Sequence, residues 1–177
     1  QSTIALGGWS NVAHAKGIVL SLLRDLGEEV VIGTADEARV SWGEVMEGSV
    51  PVADSALRYY TEFADPARQV YSWNRSQPSS RDAFLAGQLA LYIGRASELV
   101  PLREANPNLN FDITSLPEAR GAGKYTEAEL YGVAIPRGAR NPSGALLVAE
   151  LMVGAEAQQA FGEKTLLPSV RRDLLVV

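Results

Sequence analysis

Residues 80–94, which read SRDAFLAGQLALYIG, contain a helix, a tight turn and a strand in immediate succession. Ser80 is a favourable N-cap for a short helix through Ala86, and Gly87 is typical of the residue that ends such a helix. Residues 89–93 are apolar throughout, which favours a central strand covered on both faces. A helix that leads directly into a buried strand indicates an α/β architecture.

The N-terminal part of the chain shows the same alternation. Residues 3–6 predict a short buried strand that ends at Gly7 and Gly8. Asn11 is a favourable N-cap for the next helix, in which apolar residues recur at helical spacing until Gly27. Residues 28–50 are predicted to be mostly loop, further helices are expected over residues 51–64, 97–105, 145–153, 155–161 and 168–175, and further strands over residues 111–116 and 130–136. The short connections favour the α/β class.

The composition excludes several classes of protein. The chain has 177 residues, enough for one domain or two small ones. Its 16 Lys and Arg against 21 Asp and Glu leave a net charge of −5, which argues against nucleic acid as a partner. With no Cys and a single His, neither a thiolate nor a multi-imidazole metal site can form, and we expect no metal and no cofactor. No apolar run approaches the roughly 20 residues that span a bilayer.

The residues needed for catalysis are also scarce. The single His14 lies in the first turns of an apolar helix, where a role at the helix end outweighs that of a general base. Carboxylate pairs such as Glu28 with Glu29 lie in polar stretches without the apolar walls that a glycosidase acid needs. We therefore predict a non-catalytic protein and keep a hydrolase only as a minor alternative.

Eight segments carry a family resemblance. They are ALRYYTEFADP at 56–66, YSWN at 71–74, DAFLAGQLALYIG at 82–94, REANPNL at 103–109, LP at 116–117, YGVAIP at 131–136, AEAQ at 155–158 and LPSVRRDL at 167–174. In this order and spacing they resemble the extracellular solute-binding proteins of ABC importers, and the most similar branch is the sugar-binding one that includes maltose-binding protein. The resemblance covers most of the chain from Ala56 to Leu174, whereas residues 28–50 match poorly.

The resemblance implies a periplasmic-binding-protein-like fold, in which two three-layer α/β/α lobes enclose a ligand cleft. Residues 1–117 would form a C-terminal-lobe-like α/β domain, and residues 118–129 would be an inter-lobe crossing. Residues 130–177 would supply a strand and helices of the other lobe and the return crossing. We therefore expect a fold that is incomplete relative to the family, a fragment that lacks the N-terminal portion and has reduced or no binding.

The function that the resemblance implies is non-catalytic binding of a small solute, with a carbohydrate as the favoured class, for import by an ABC transporter. Two lobes would close on the solute by a hinge motion, and the membrane permease subunits would sense the closed form. Such a protein is expected to be extracellular or periplasmic. In one version of this prediction, the full-length parent is attached to the membrane as a lipoprotein. The alternative function is a stand-alone α/β interaction or oligomerisation module without a transport role.

Recognition of a sugar requires aromatic rings against its flat C–H faces and a few fixed hydrogen-bonding groups. Trp9 and Asn11 lie on a loop after a predicted strand, where α/β clefts place ligand contacts. Arg95 follows the strand over residues 89–93 where sugar-binding relatives carry an aromatic residue, and its planar fork favours a carboxylate, a phosphate or a densely hydroxylated ligand. The candidate ligand-binding residues are Trp9, Asn11, Trp73, Asn74, Arg95, Ser97 and Tyr131.

Several of these candidates also have a purely structural interpretation. Asn11 could serve only as a helix N-cap, and Trp73 could pack under its own loop. Arg95 could pair with a nearby acid, and Tyr131 could belong to the core or to a hinge. The sequence leaves these alternatives open.

The end of the chain predicts self-association. Residues 174–177 are four apolar residues in a row, and a contiguous apolar patch rarely stays exposed on a soluble monomer. Exchange of residues 130–177 between two copies through the 118–129 crossing would cover them. We therefore expect a homodimer.

Overall fold

The computed structural model describes residues 1–34, 36–41, 51–117, 128–165 and 167–174. The chain divides into two units, the first formed by Gln1–Gly94 with Asn106–Ala128 and the second by Arg95–Ala105 with Glu129–Val177. Each unit is therefore built from two separate stretches of the chain. The predicted crossing at 118–129 stays a prediction, because residues 118–127 lie outside the described residues.

The first unit contains both strands and helices. Its strands are β1 (Ser2–Ile4), β2 (Val31–Ile32), β3 (Arg39–Val40) and β4 (Leu89–Leu91), and its helices are α1 (Ala15–Asp25), α2 (Val52–Glu62) and α3 (Ser80–Leu85). Strand β1 pairs in parallel with β4, with Ser2 opposite Leu89 and Ile4 opposite Leu91. Strands β2 and β3 form a short antiparallel pair within the stretch predicted to be mostly loop, of which residues 42–50 lie outside the described residues. The mixture is compatible with the predicted α/β class, whereas the three-layer arrangement stays a prediction.

Strand β4 lies at the predicted position but is less buried than the sequence predicts. Leu89 is 2% exposed, whereas Leu91 is 57% exposed. Among the described residues β4 pairs only with β1, so no second strand covers its other edge. The prediction of a central strand covered on both faces over residues 89–93 is therefore wrong.

Helix α1 begins three residues later than a cap at Asn11 would place it. Its N-cap is His14, which has φ 56° and ψ 25° in the left-handed region and makes no side-chain capping bond. The prediction that Asn11 is the N-cap is wrong, because its side chain bonds to a distant segment, as described below. At the other end Gly27 has φ 88°, its N–H donates to Arg24 O at 2.9 Å and Glu28 N–H donates to Leu23 O at 2.9 Å. This Schellman pattern confirms Gly27 as the residue that ends the helix.

Helix α3 ends at the residue that the sequence predicts, but its N-cap lies one residue earlier than predicted. Gly87 has φ 69° and its N–H donates to Phe84 O at 2.9 Å, which confirms the predicted stop. The N-cap is Ser79, whose Oγ accepts from Asp82 N at 3.2 Å. The prediction that Ser80 caps this helix is therefore wrong, and the buried Ser80 hydroxyl has a different partner.

The core of the first unit forms where α1 packs against α2. On both helices the buried positions recur every three or four residues, as expected for amphipathic helices. The buried apolar side chains include Ala15, Ile18, Val19 and Leu23 of α1, Ala53, Ala56 and Tyr60 of α2, and Leu6, Val12, Trp73, Phe84 and Leu89. Phe84 also stacks on Tyr92 with ring centroids 5.3 Å apart and meets Phe111 edge-on at 5.4 Å.

The regular secondary structure in the described part of the second unit is helical. A 3-10 turn at Ala96–Glu98 leads into α4 (Leu99–Ala105), and α5 (Pro142–Val153), α6 (Ala155–Thr165) and a 3-10 turn at Arg172–Leu174 follow. Asn141 caps α5, because its side-chain oxygen accepts from Gly144 N at 2.9 Å, and Pro142 stands at the first helical position. The helices predicted over 97–105, 145–153 and 155–161 are confirmed, whereas the one predicted over 168–175 is reduced to the last 3-10 turn.

Two predicted strands are absent from the described residues. Residues 111–117 and 128–136 have no regular secondary structure, and Val133 is 55% exposed. Apolar alternation favours a strand only if a neighbouring strand completes the ladder of hydrogen bonds. Neither segment has such a neighbour within the described ranges, so both predictions are wrong. No helix in these ranges is long and apolar enough to cross a membrane.

Candidate functional site

The loop that follows β1, residues 5–11, carries two predicted ligand-binding residues, and we call it the Trp9 loop. The Tyr60 hydroxyl of α2 donates to Gly8 O at 2.5 Å. Burial raises the pKa of Tyr60 to about 12, so the hydroxyl stays a donor at a higher pH than that of a free tyrosine, whose pKa is about 10. Gly7 has φ 82°, and a Cβ there would lie 2.6 Å from Ala64 Cβ. Only glycine permits this close approach, which holds the Trp9 loop against α2 and the residues that follow it.

The Asn11 side chain joins the Trp9 loop to residues 74–77, which we call the Asn74 turn. Asn11 Nδ2 donates to Asn74 O at 2.9 Å and to Gln77 O at 3.1 Å. The backbone carbonyl oxygen of Asn11 accepts from Ser80 N at 2.8 Å. The amide therefore fixes two segments to each other, which differs from the N-cap role considered from the sequence. Contact of Asn11 with a ligand stays a prediction.

Two serine hydroxyls reinforce this junction. Ser80 Oγ accepts from Ala13 N at 2.8 Å, and Ser72 Oγ accepts from Ile4 N at 3.0 Å and donates to Ile4 O. Together they attach residues on both sides of the Trp9 loop to Ser72 and to the first residue of α3. The loop is therefore held by side chains from three other parts of the unit.

Trp9 itself points into solvent from this fixed loop. Its side chain is 66% exposed, whereas the neighbouring Gly8 is buried. A large indole that is exposed on a well-held backbone offers a flat apolar face to a partner. Trp9 is thus placed as a ligand contact would be, and contact with a solute stays a prediction.

Trp73 is placed differently from Trp9. Its side chain is 1% exposed, and its backbone N–H donates to Phe63 O at 3.1 Å. The structure thus shows the alternative in which Trp73 packs under its loop. Direct stacking of a solute on this ring would require the loop above it to move.

The Asn74 side chain serves its own turn. Its Oδ1 accepts from Ser76 N at 2.9 Å and from Ser76 Oγ at 2.6 Å, and its Nδ2 donates to the Tyr71 hydroxyl. Asn74 O also accepts from Gln77 N at 3.2 Å. These bonds set the turn that receives Asn11, so Asn74 is brought together with Asn11 through its backbone.

The second unit brings two other candidates to one carboxylate. Arg95 Nη1 forms an ion pair with Glu129 Oε2, and the Tyr131 hydroxyl donates to Glu129 Oε1 at 3.1 Å. Arg95 N also donates to Glu98 Oε2 at 2.9 Å. The pairing of Arg95 with an acid, left open by the sequence, is present. Ser97 is exposed in the 3-10 turn beside this cluster.

Comparison with protein families decides the identity. The family model for bacterial extracellular solute-binding proteins matches residues 16–175. The chain belongs to this family. No curated protein and no solved structure matches it significantly.

As a member of this family, the solute-binding protein is periplasmic or extracellular and binds solutes, generally for ABC import. Proteins of this family are generally non-catalytic. The family predicted from the sequence segments is confirmed. Within the described ranges no group of three or more His, Asp or Glu side chains could hold a metal ion.

Sequence reasoning missed three residues that shape the two clusters of this solute-binding protein. The sequence patterns singled out neither Tyr60 nor Glu129, and they indicated Gly8 only as the end of a predicted strand. The bond between Tyr60 and Gly8 joins residues 52 positions apart, and the bond between Arg95 and Glu129 joins residues 34 positions apart. Local patterns carry no signal for contacts at such separations.

Proposed function

We propose that this solute-binding protein binds a carbohydrate and that the Trp9 loop supplies the aromatic contact. The observation that carries the proposal is the 66% exposed indole of Trp9 on a loop whose neighbouring residues are fixed by Tyr60 and Asn11. Sugars present flat C–H faces between hydroxyl groups, and an indole face is complementary to them. A loop that is held before binding loses little conformational entropy when the solute arrives.

Arg95 and Tyr131 are the candidates for polar contacts with a solute. Arg95 and Tyr131 already share the Glu129 carboxylate, and this shows that their donors reach an oxygen-rich group. The three side chains are partly or largely exposed, with Tyr131 at 88%. We propose that solute hydroxyls or a solute carboxylate take hydrogen bonds from Arg95 and Tyr131, with Ser97 and Asn74 as further candidates.

The transport role follows from the family. We propose that the solute is held in an inter-lobe cleft that closes by a hinge motion, and that ABC permease subunits recognise the closed form. Anchoring to the membrane as a lipoprotein belongs to the same proposal. The alternative, an interaction module without a transport role, has no observation in its favour beyond exposed apolar side chains.

Isothermal titration calorimetry of the chain with a panel of mono- and disaccharides tests the carbohydrate proposal. In keeping with the predicted fragment, we expect reduced but measurable binding of at least one sugar. Trp9→Ala should raise its Kd by about 5- to 150-fold, the effect of losing about 1–3 kcal/mol of aromatic contact. Tyr59→Ala is the matched control, because Tyr59 is an exposed aromatic residue on α2 at 51%. Absence of binding by every sugar, or equal affinity of the Trp9 and Tyr59 variants, would refute the proposal.

We also propose that two copies associate through residues 130–177. This segment exposes apolar side chains along α5, among them Leu146, Leu147, Val148 and Leu151 at 51%, 67%, 60% and 71%. A helix that is apolar on all sides is normally covered by other protein. A second copy carries the same surface, so an isologous contact or a segment exchange would cover both.

A further inference from the structure

A buried donor and a buried acceptor lie without partners beneath the Trp9 loop. Trp73 is 1% exposed, and its Nε1 has no hydrogen-bond partner among the described residues. Asn11 Oδ1 is likewise buried and receives no hydrogen bond from the described part of the chain. Buried polar groups in folded proteins are almost always paired, because an unpaired group has lost its contact with water.

Gly8 brings these two groups to one place. A Cβ built on Gly8 would lie 2.7 Å from Asn11 Oδ1 and 3.7 Å from Trp73 Cδ1. Cδ1 is the ring carbon bonded to Nε1, so the five-membered ring of Trp73 borders the same position as Asn11 Oδ1. The unpaired donor and the unpaired acceptor therefore both belong to side chains that border Gly8.

The orientation of the Asn11 amide is determined by its other bonds. Nδ2 donates to Asn74 O at 2.9 Å and to Gln77 O at 3.1 Å. An exchange of the oxygen and nitrogen positions would place a carbonyl oxygen against two others, without any hydrogen between them. Oδ1 is therefore the acceptor that faces Gly8.

We propose that one hydroxyl-bearing molecule occupies this junction, where its oxygen accepts from Trp73 Nε1 and its hydrogen is donated to Asn11 Oδ1. A hydroxyl group can accept a hydrogen bond from one group and donate a hydrogen bond to another at the same time. The group is either a solvent water or a hydroxyl of the bound sugar, and the second source rests on the proposed function. In either case it links Trp73 to Asn11 and so stiffens the backbone that presents Trp9.

Water-selective NOE spectroscopy on the ¹⁵N-labelled chain tests this inference at the Trp73 indole proton. The three tryptophans give three indole signals, and Trp9→Phe and Trp42→Phe assign the remaining one to Trp73. We expect a cross-peak to water in the free protein if the source is solvent. If the source is the solute, addition of 10 mM disaccharide produces cross-peaks to sugar C–H protons instead.

The controls separate the junction from the carbohydrate proposal. Asn11→Ala should abolish the cross-peak, whereas Asn110→Ala should keep it, because Asn110 is exposed in an irregular segment. A water cross-peak in a protein that binds no sugar would support the junction while the carbohydrate proposal fails. A wild-type spectrum with neither kind of cross-peak, or a cross-peak that persists in Asn11→Ala, would overturn the inference.

Discussion

Asn11 Nδ2 donates to the Asn74 carbonyl oxygen at 2.9 Å across 63 positions of the chain. This bond connects the loop after the first strand with the turn before α3. It makes Asn11 a residue that holds the loop on which Trp9 is exposed, and contact of Asn11 with a solute stays a prediction. The stability of the loop therefore depends on an amide that no local pattern would assign to this task.

Replacement of Asn11 by Ala should destabilise the protein by about 1–3 kcal/mol, because the variant loses bonds to two backbone carbonyls. The measurement is the midpoint of urea unfolding. Asn110→Ala is the control, since Asn110 is exposed in an irregular segment. Equal midpoints for the two variants would contradict the assigned role of Asn11.

Replacement of Tyr60 by Phe should also destabilise the fold, by about 1–2 kcal/mol, because Gly8 O loses its buried donor. The raised pKa of Tyr60, about 12, adds a pH dependence. An unfolded tyrosine has a pKa of about 10, so the contribution is complete below pH 10 and is lost as the pH rises towards 12.

Urea unfolding of the wild type and of Tyr60→Phe across pH 8 to 12 measures this contribution. The wild type should lose stability more steeply than Tyr60→Phe in the upper part of the range. Tyr59→Phe, which removes an exposed hydroxyl from the same helix, should behave like the wild type. Parallel pH profiles for the wild type and Tyr60→Phe would show that the Tyr60 hydroxyl is not buried as described.

His14→Gly should stabilise the protein by about 1 kcal/mol, because a non-glycine residue at φ 56° carries steric strain that glycine does not. Lys16→Gly provides the opposite control within the same helix. Lys16 is exposed in α1, and its replacement by Gly should destabilise the protein by about 1 kcal/mol because glycine has a low helix propensity. Thermal unfolding compares the two variants, and a lower midpoint for His14→Gly would mean that the His14 side chain contributes more than the strain costs.

Trp73→Ala and Trp9→Ala should differ in stability. Trp73 is 1% exposed, and its truncation should cost about 3–5 kcal/mol by leaving a cavity. Trp9 is 66% exposed, and its truncation should change stability by less than about 0.5 kcal/mol. Chemical unfolding of both variants gives the comparison, and a similar loss in both would contradict the placement of Trp9.

Self-association should be visible by light scattering as a mass above the 19.0 kDa of one chain. Leu147→Glu with Leu151→Glu should return the protein to a single-chain mass, because both leucines are exposed and lie one turn apart on α5. The exposed acidic pair Glu156→Lys with Glu163→Lys on α6 is the control and should leave the mass unchanged. A single-chain mass for the wild type at all concentrations would refute the proposed dimer.

Local stretches of sequence by themselves determined the family, the positions of most helices and the residues that end them. Gly27 and Gly87 stop α1 and α3 because a left-handed residue is needed there and glycine adopts it without a steric cost. Asn141 with Pro142 begins α5 because a side-chain oxygen and a fixed φ act on the nearest backbone groups. These effects operate within a few residues, so they can be predicted without knowledge of the fold.

Only the tertiary structure decided which polar and aromatic groups meet. Asn11 caps no helix because Asn74 O and Gln77 O lie within reach of its amide, and Ser80 bonds to Ala13 N while Ser79 takes the cap. Trp9 and Trp73 both stand in polar loops, yet one is exposed and the other is in the core. Hydrogen bonding and burial depend on the three-dimensional distance between atoms, and the separation of two residues along the chain does not set that distance.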